Sequence, residues 1–152
     1  GVRQIGYRSI YMIIGMCLLD ETYELYSKDG EKLLDYLINC YPKYIQGKMA
    51  IIMKASFLSK KEMNKEAIQL LENNYEVILS LENNPKFYYL LDELNLKEND
   101  HKHIMAGYYY YLANFYYKLN NKNNATIYFN KVINQYPDTD FALNAKEKIK
   151  KL

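Results

Sequence analysis

Apolar residues recur at three- and four-residue spacing along almost the whole chain, which is the period of an α-helix, and strand-like alternation is absent. Polar and helix-breaking clusters interrupt the pattern at Lys28-Asp29-Gly30, Tyr41-Pro42, Asn83-Asn84-Pro85, Glu98-Asn99-Asp100, Leu119-Asn120-Asn121 and Tyr136-Pro137-Asp138. The expected fold is therefore all-α, with about seven helices cut at these breaks.

The apolar stripes repeat. Tyr109, Leu112, Ala113 and Tyr116 share one helical face; after an Asn-rich turn, Ala125, Phe129 and Val132 form the facing stripe, and Pro137 stops it. Small residues at Ala113 and Ala125 suit the closest approach of two helices, with Tyr109, Tyr116 and Phe129 filling the space around them. Upstream, Ile51, Ala55 and Leu58 precede Ala67 and Leu71 in the same register, with Lys54 and Asn74 where apolar residues would be expected. A more degenerate copy runs through Tyr11, Ile14, Gly15 and Leu18, with Leu34, Leu37 and Pro42 on its partner helix.

This order of residues resembles the tetratricopeptide repeat, a helix–turn–helix of roughly 34 residues. The closure Tyr136-Pro137-Asp138-Thr139 followed by Ala142 and Ala145 is similar to that of bacterial envelope proteins such as the lipoprotein of the outer-membrane β-barrel assembly machinery. The resemblance implies one domain over 1–152, built as a short right-handed solenoid. Its repeats would lie roughly at 8–43, 48–81 and 106–139, with a helical insert at 82–105 carrying Phe87, Tyr88, Leu90, Leu91 and Leu94, and a capping helix at 139–152. In that family each first helix lines a concave groove that holds a protein partner. Carried over by register, the groove residues are Tyr110, Asn114, Tyr117 and Lys118 in the last repeat, Met49, Ile52, Ser56 and Lys60 in the middle one, and Met12, Met16 and Leu19 in the first. The resemblance further implies a bacterial periplasmic or envelope-associated setting.

Charge narrows the partners. Lys+Arg number 20 against 18 Asp+Glu, a net charge of +2, which sets up no strong field for nucleic acid or an anionic membrane. Both arginines, Arg3 and Arg8, lie near the start; a nucleic-acid reader would use more of them for their planar fork, so no nucleic-acid partner is expected. The longest apolar run, Ile10 to Leu19, is shorter than the roughly 20 residues needed to span a bilayer, so no transmembrane segment is expected. Arg3, Arg8, this run and Cys17 together resemble a lipoprotein signal, although Met16 is bulkier than the small residue usual before the lipidated cysteine. The chain opens on Gly1 rather than Met, so a fragment or processed product is expected.

Chemistry has few places to reside. Cys17 and Cys40 lack metal-ligand spacing, and His101 and His103 are two apart, the wrong interval for one helical face. The acidic pairs Asp20-Glu21 and Asp92-Glu93 read as solvated helix surface, and Asp100 or Asn99 is the expected N-cap of the following helix. No nucleophile elbow, phosphate loop or dinucleotide fingerprint occurs. No cofactor or metal is expected, and the chain reads as a non-enzymatic scaffold. Its 18 tyrosines and absence of Trp are distinctive, and Tyr108 to Tyr111 point around the whole helix, so some must meet neighbouring helices or a partner. The rival readings are an accessory domain of a larger enzyme or ligand receptor, and a structural or oligomerisation spacer.

Overall fold

A computed structural model describes residues 20–87 and 103–152, with side chains from residue 29 onward within those ranges. The described residues are all-helical, with no strand. The helices are α1 (Asp20–Cys40), α2 (Ile45–Lys60), α3 (Asn64–Asn73), α4 (Tyr75–Glu82), α5 (Ile104–Lys118), α6 (Lys122–Gln135) and α7 (Asp140–Lys150). The chain divides into two compact units, Gly1–Phe57 and Leu58–Leu152.

In the first unit the core is Leu34, Leu37, Ala50 and Phe57, with Leu33, Ile38 and Met53 packed against it, and Lys54 pairs with Asp35 at its edge. The break expected at Lys28-Asp29-Gly30 does not occur: α1 runs straight through it. Gly30 is buried and stands four and seven residues before the buried Leu34 and Leu37, so it belongs to their row. A glycine inside a helix costs only about 1 kcal/mol, which burial of that row offsets. The first repeat is therefore not divided at that point. The Tyr41-Pro42 break is real, and the turn there is held by Tyr41 N–H donating to the Leu37 carbonyl at 2.9 Å.

The second unit is assembled around α5. Leu71, Ile78, Leu81, Met105, Leu112, Phe129 and Val132 are its fully buried large side chains, while Ala113 and Ala125 are both wholly buried, as their small size at the α5–α6 approach demands. Gly107 admits the Phe141 ring; a β-carbon there would meet its edge at 3.3 Å. Ala142 and Ala145 seat α7. Thr139 caps α7 by accepting from Ala142 N–H at 3.2 Å, and its hydroxyl donates to the Tyr136 carbonyl at 2.8 Å.

Two turns in this unit are alike bond for bond. At the end of α2, Met63 N–H donates to the Leu58 carbonyl and Glu62 N–H to that of Ser59, with Glu62 at φ 63°. At the end of α5, Asn121 N–H donates to Tyr116 and Asn120 N–H to Tyr117, with Asn120 at φ 60°. Each is a Schellman closure around a left-handed residue, and Ala67 and Ala125 then donate to Met63 and Asn121 in the same way. The spacing of the buried stripes thus reappears as identical turn geometry.

Three element boundaries differ from expectation or extend past it. Within the middle repeat expected at 48–81 the helix carrying Ala67 and Leu71 breaks at Asn74, whose side-chain amide donates to the Leu70 carbonyl at 2.8 Å and competes with the helix ladder. The N-cap of α5 is His103 rather than Asp100 or Asn99, and its side chain makes no capping bond. The insert helix begins at Pro85, with Asn84 Oδ1 accepting from Lys86 N–H at 3.0 Å, an N-cap followed by a proline at the first helical position. Phe87 is buried; Tyr88, Leu90, Leu91, Leu94 and the break at Glu98-Asn99-Asp100 lie outside the described residues.

Candidate partner-binding surface

The helix α5 distributes its aromatic side chains over four neighbours. Tyr109 and Tyr116 turn toward α6, where Tyr128 stacks on both, with ring centroids at 6.1 and 5.7 Å. Lys131 lies over the Tyr109 and Tyr128 rings at 5.0 and 5.6 Å. Tyr108 turns toward α3 and α4: its hydroxyl donates to the Leu71 carbonyl at 3.0 Å, and its ring meets Tyr75 edge-on at 5.8 Å. Leu71 lies in the last turn of α3, and this hydroxyl is a second donor to a carbonyl that also accepts from Asn74 N–H at 3.1 Å. Tyr116 donates to Glu72 at 2.6 Å.

The remaining tyrosines face α7. Tyr110 is half-buried between Phe129 at 5.9 Å and Phe141 at 5.3 Å, so its ring joins α5, α6 and α7. Tyr111 packs on Phe115 and Phe141. Tyr117 is half-buried beneath the Lys148 ammonium, 5.5 Å from the ring centre. Asn114 is half-buried and Lys118 exposed. Lys118 Nζ donates to Ser59 Oγ at 2.8 Å, and Ser59 in turn donates to Asn64 Oδ1 at 2.7 Å, which ties the end of α5 to the turn before α3. Tyr110, Asn114, Tyr117 and Lys118 therefore lie in one row along α5, the first end of which is engaged in packing.

Met49, Ile52, Ser56 and Lys60 fall in a row on α2, each half-buried. Met12, Met16 and Leu19 lie outside the described residues. Sequence reasoning missed Tyr108 and Phe115 as core residues, 2% and 3% exposed. The signal was present, since Met105, Tyr108, Leu112 and Phe115 form a second stripe at helical spacing, but the first stripe already accounted for one packed face. Tyr128 was also missed, because nothing local marks it as the ring that bridges Tyr109 and Tyr116.

Burial pushes the phenol groups of Tyr108, Tyr109, Tyr116 and Tyr128 above their ordinary value; hydrogen bonds add to this for Tyr109, through Tyr75, and for Tyr116, through Glu72. A raised folded value means that the unfolded chain releases these protons first. Stability is thus fully present below about pH 10, the ordinary tyrosine value, and is lost as pH rises above it toward the folded values. Unfolding at alkaline pH should release phenolic protons, seen as a jump in phenolate absorbance coincident with loss of helical circular dichroism. Exposed tyrosines such as Tyr36, Tyr41 and Tyr44 contribute an earlier rise, so the contradicting result is a melt that brings no further phenolate absorbance.

Among the described residues no cluster of His, Cys, Asp and Glu could hold a metal ion, and no helix is long and apolar enough to cross a membrane. Cys40 is a free, exposed thiol. A surface groove of about 520 Å3 between α6 and α7 is lined by Asn130, Ile133, Leu143, Lys146, Glu147 and Lys150 among others, and its lining includes none of the tyrosines. Comparison with family models, with curated proteins and with solved structures finds no match.

Proposed function

We propose that this chain is a non-enzymatic interaction module of tetratricopeptide type that holds a protein partner along the row Asn114, Tyr117 and Lys118 of α5. The observation that carries the reading is the duplicated turn: the ends of α2 and α5 close through the same pair of hydrogen bonds around a left-handed residue, followed by the same alanine on the next helix. Repeated helix–turn–helix units that stack commonly present the faces of their first helices to a partner. The row on α5 pairs an aromatic body with amide and ammonium donors, a combination suited to a protein surface. Met49, Ile52, Ser56 and Lys60 form the equivalent row on α2. Envelope assembly is the setting suggested by the Tyr136-Pro137-Asp138-Thr139 closure.

The packing of Tyr110 on Phe129 and Phe141 makes it a poor probe, because truncating it would loosen three helices. The test is capture of partners by the wild-type chain beside an Asn114→Ala/Tyr117→Ala variant with an unchanged unfolding curve. A protein retained by the former and reduced at least roughly tenfold with the latter is the expected result, as for a side chain at the centre of an interface. Equal retention by both would remove the α5 row from the interface and favour a spacer.

A further inference from the structure

Charge in the second unit is separated along its helix axes. At one end the C-termini of α5 and α7 meet the N-terminus of α6, as shown by Lys122 Nζ reaching the Leu152 carbonyl at 3.4 Å. That end carries Lys118, Lys122, Lys148, Lys150 and Lys151 with Glu147, which pairs with Lys150 at 3.1 Å. The turn before α3, tied to it through Lys118 and Ser59, adds Lys60, Lys61 and Lys65 with Glu62 and Glu66. At the other end, His103 meets the Tyr136 ring at 5.4 Å and Glu82 at 3.9 Å, bringing together the end of α4, the start of α5 and the α6–α7 turn with Glu82, Asp138 and Asp140. The 15 residues of α5 separate the two ends by about 22 Å, well beyond a Debye length of about 8 Å at physiological salt, so the acidic end does not neutralise the basic one.

Compensation of helix dipoles accounts for part of the lysine cluster, since Lys118, Lys148 and Lys150 stand in or beside last turns. Lys122, at the first residue of α6 where that helix's own dipole disfavours a cation, is answered by the Leu152 carbonyl past the end of α7. The cluster still exceeds the dipoles: two C-termini and one N-terminus leave about half a negative charge at this end, far less than the lysines bring. Internal pairing discharges Lys150, through Glu147, but not the rest of the patch: Lys118 donates to the neutral Ser59, and Lys148 lies over a neutral ring. The Tyr117 ring lies beneath the Lys148 ammonium, so apolar surface and positive charge adjoin. We propose that the basic end of the second unit is a docking surface for an acidic protein segment, one in which Asp or Glu side chains alternate with apolar ones. The proposal rests on the interaction-module reading and names the chemistry of its partner.

The experiment is fluorescence anisotropy with a labelled peptide of alternating Glu and Leu, its Gln-for-Glu counterpart, single-stranded DNA and vesicles of phosphatidylglycerol. The Glu peptide should bind at least about tenfold more tightly than the Gln peptide at low salt and weaken as salt rises. A Lys148→Glu/Lys151→Glu variant should lose about tenfold or more of that affinity, while Asp138→Lys at the opposite end leaves it unchanged. Equal binding of the two peptides, absence of binding, indifference to Lys148→Glu/Lys151→Glu, or tighter binding of DNA or vesicles would each overturn the proposal. If a captured partner depends on Tyr117 yet ignores Lys148→Glu/Lys151→Glu, the module reading stands and the acidic segment falls; if it ignores both variants, both fall.

Discussion

Replacing Gly47 by alanine should destabilise the first unit by about 3 kcal/mol or more, although the same change in an ordinary helix would stabilise it by about 1 kcal/mol. A β-carbon on Gly47 would lie 2.0 Å from the Tyr41 carbonyl oxygen, 2.7 Å from its carbon and 2.9 Å from the Leu37 carbonyl oxygen. All three are backbone atoms, so no side chain can rotate away. The turn they belong to is fixed by Tyr41 N–H on Leu37, Tyr44 N–H on Tyr41 and Lys48 N–H on Tyr44, at 2.9, 3.1 and 3.1 Å. Relief therefore requires moving the connection between α1 and α2 as a whole. Gly107→Ala is the control: there the obstacle is the edge of the Phe141 ring at 3.3 Å, a side chain that can shift by a few tenths of an ångström. Its stability should stay within about 1 kcal/mol of wild type, the helix-propensity gain offsetting the crowding. Urea unfolding of both variants, followed by circular dichroism, checks this; similar midpoints would mean that the α1–α2 turn does not press on Gly47.

The contrast between these two glycines marks what could be read from sequence. Helical period and breakers located most element ends, and the stripe of Leu112, Ala113, Ala125, Phe129 and Val132 was legible because each position satisfies both the local period and the small–large alternation of a helix pair. Gly30 misled because glycine beside Lys-Asp reads as a turn, whereas its place in the buried row with Leu34 and Leu37 is a tertiary fact. Asn74 is legible as a polar residue in an apolar position, yet its bond to Leu70 that ends α3 depends on a side-chain rotamer. The α5 row was legible as a face. That Tyr110 would be occupied by Phe141 was not, since it depends on where α7 lands after the Thr139 cap. The lysines late in α7 are legible as cations matched to its dipole, but that Lys122 shares their end is not, since it follows only from the antiparallel run of α6 and α7.

Truncation of Phe129 should have the second large effect, a loss of about 3–5 kcal/mol from the second unit. Phe129 is fully buried, and it also gives Tyr110 one of its two ring partners between helices. Removing it leaves a cavity beside Ala113 and Ala125, which are too small to fill it, and frees Tyr110 to follow Phe141 alone. Because a domain of this size commonly has only about 5–15 kcal/mol of net stability, the variant should be largely unfolded at moderately elevated temperature. Phe129→Leu, which keeps most of the volume, should cost about 1.5 kcal/mol or less. Ile127→Ala, on the same helix but 54% exposed, should stay within about 0.5 kcal/mol of wild type. If thermal unfolding ranked Ile127→Ala with Phe129→Ala, α6 would have to pack on a different face. The Tyr110, Asn114, Tyr117 and Lys118 row would then point elsewhere, because its direction follows from α6 covering the Leu112–Ala113 side of α5.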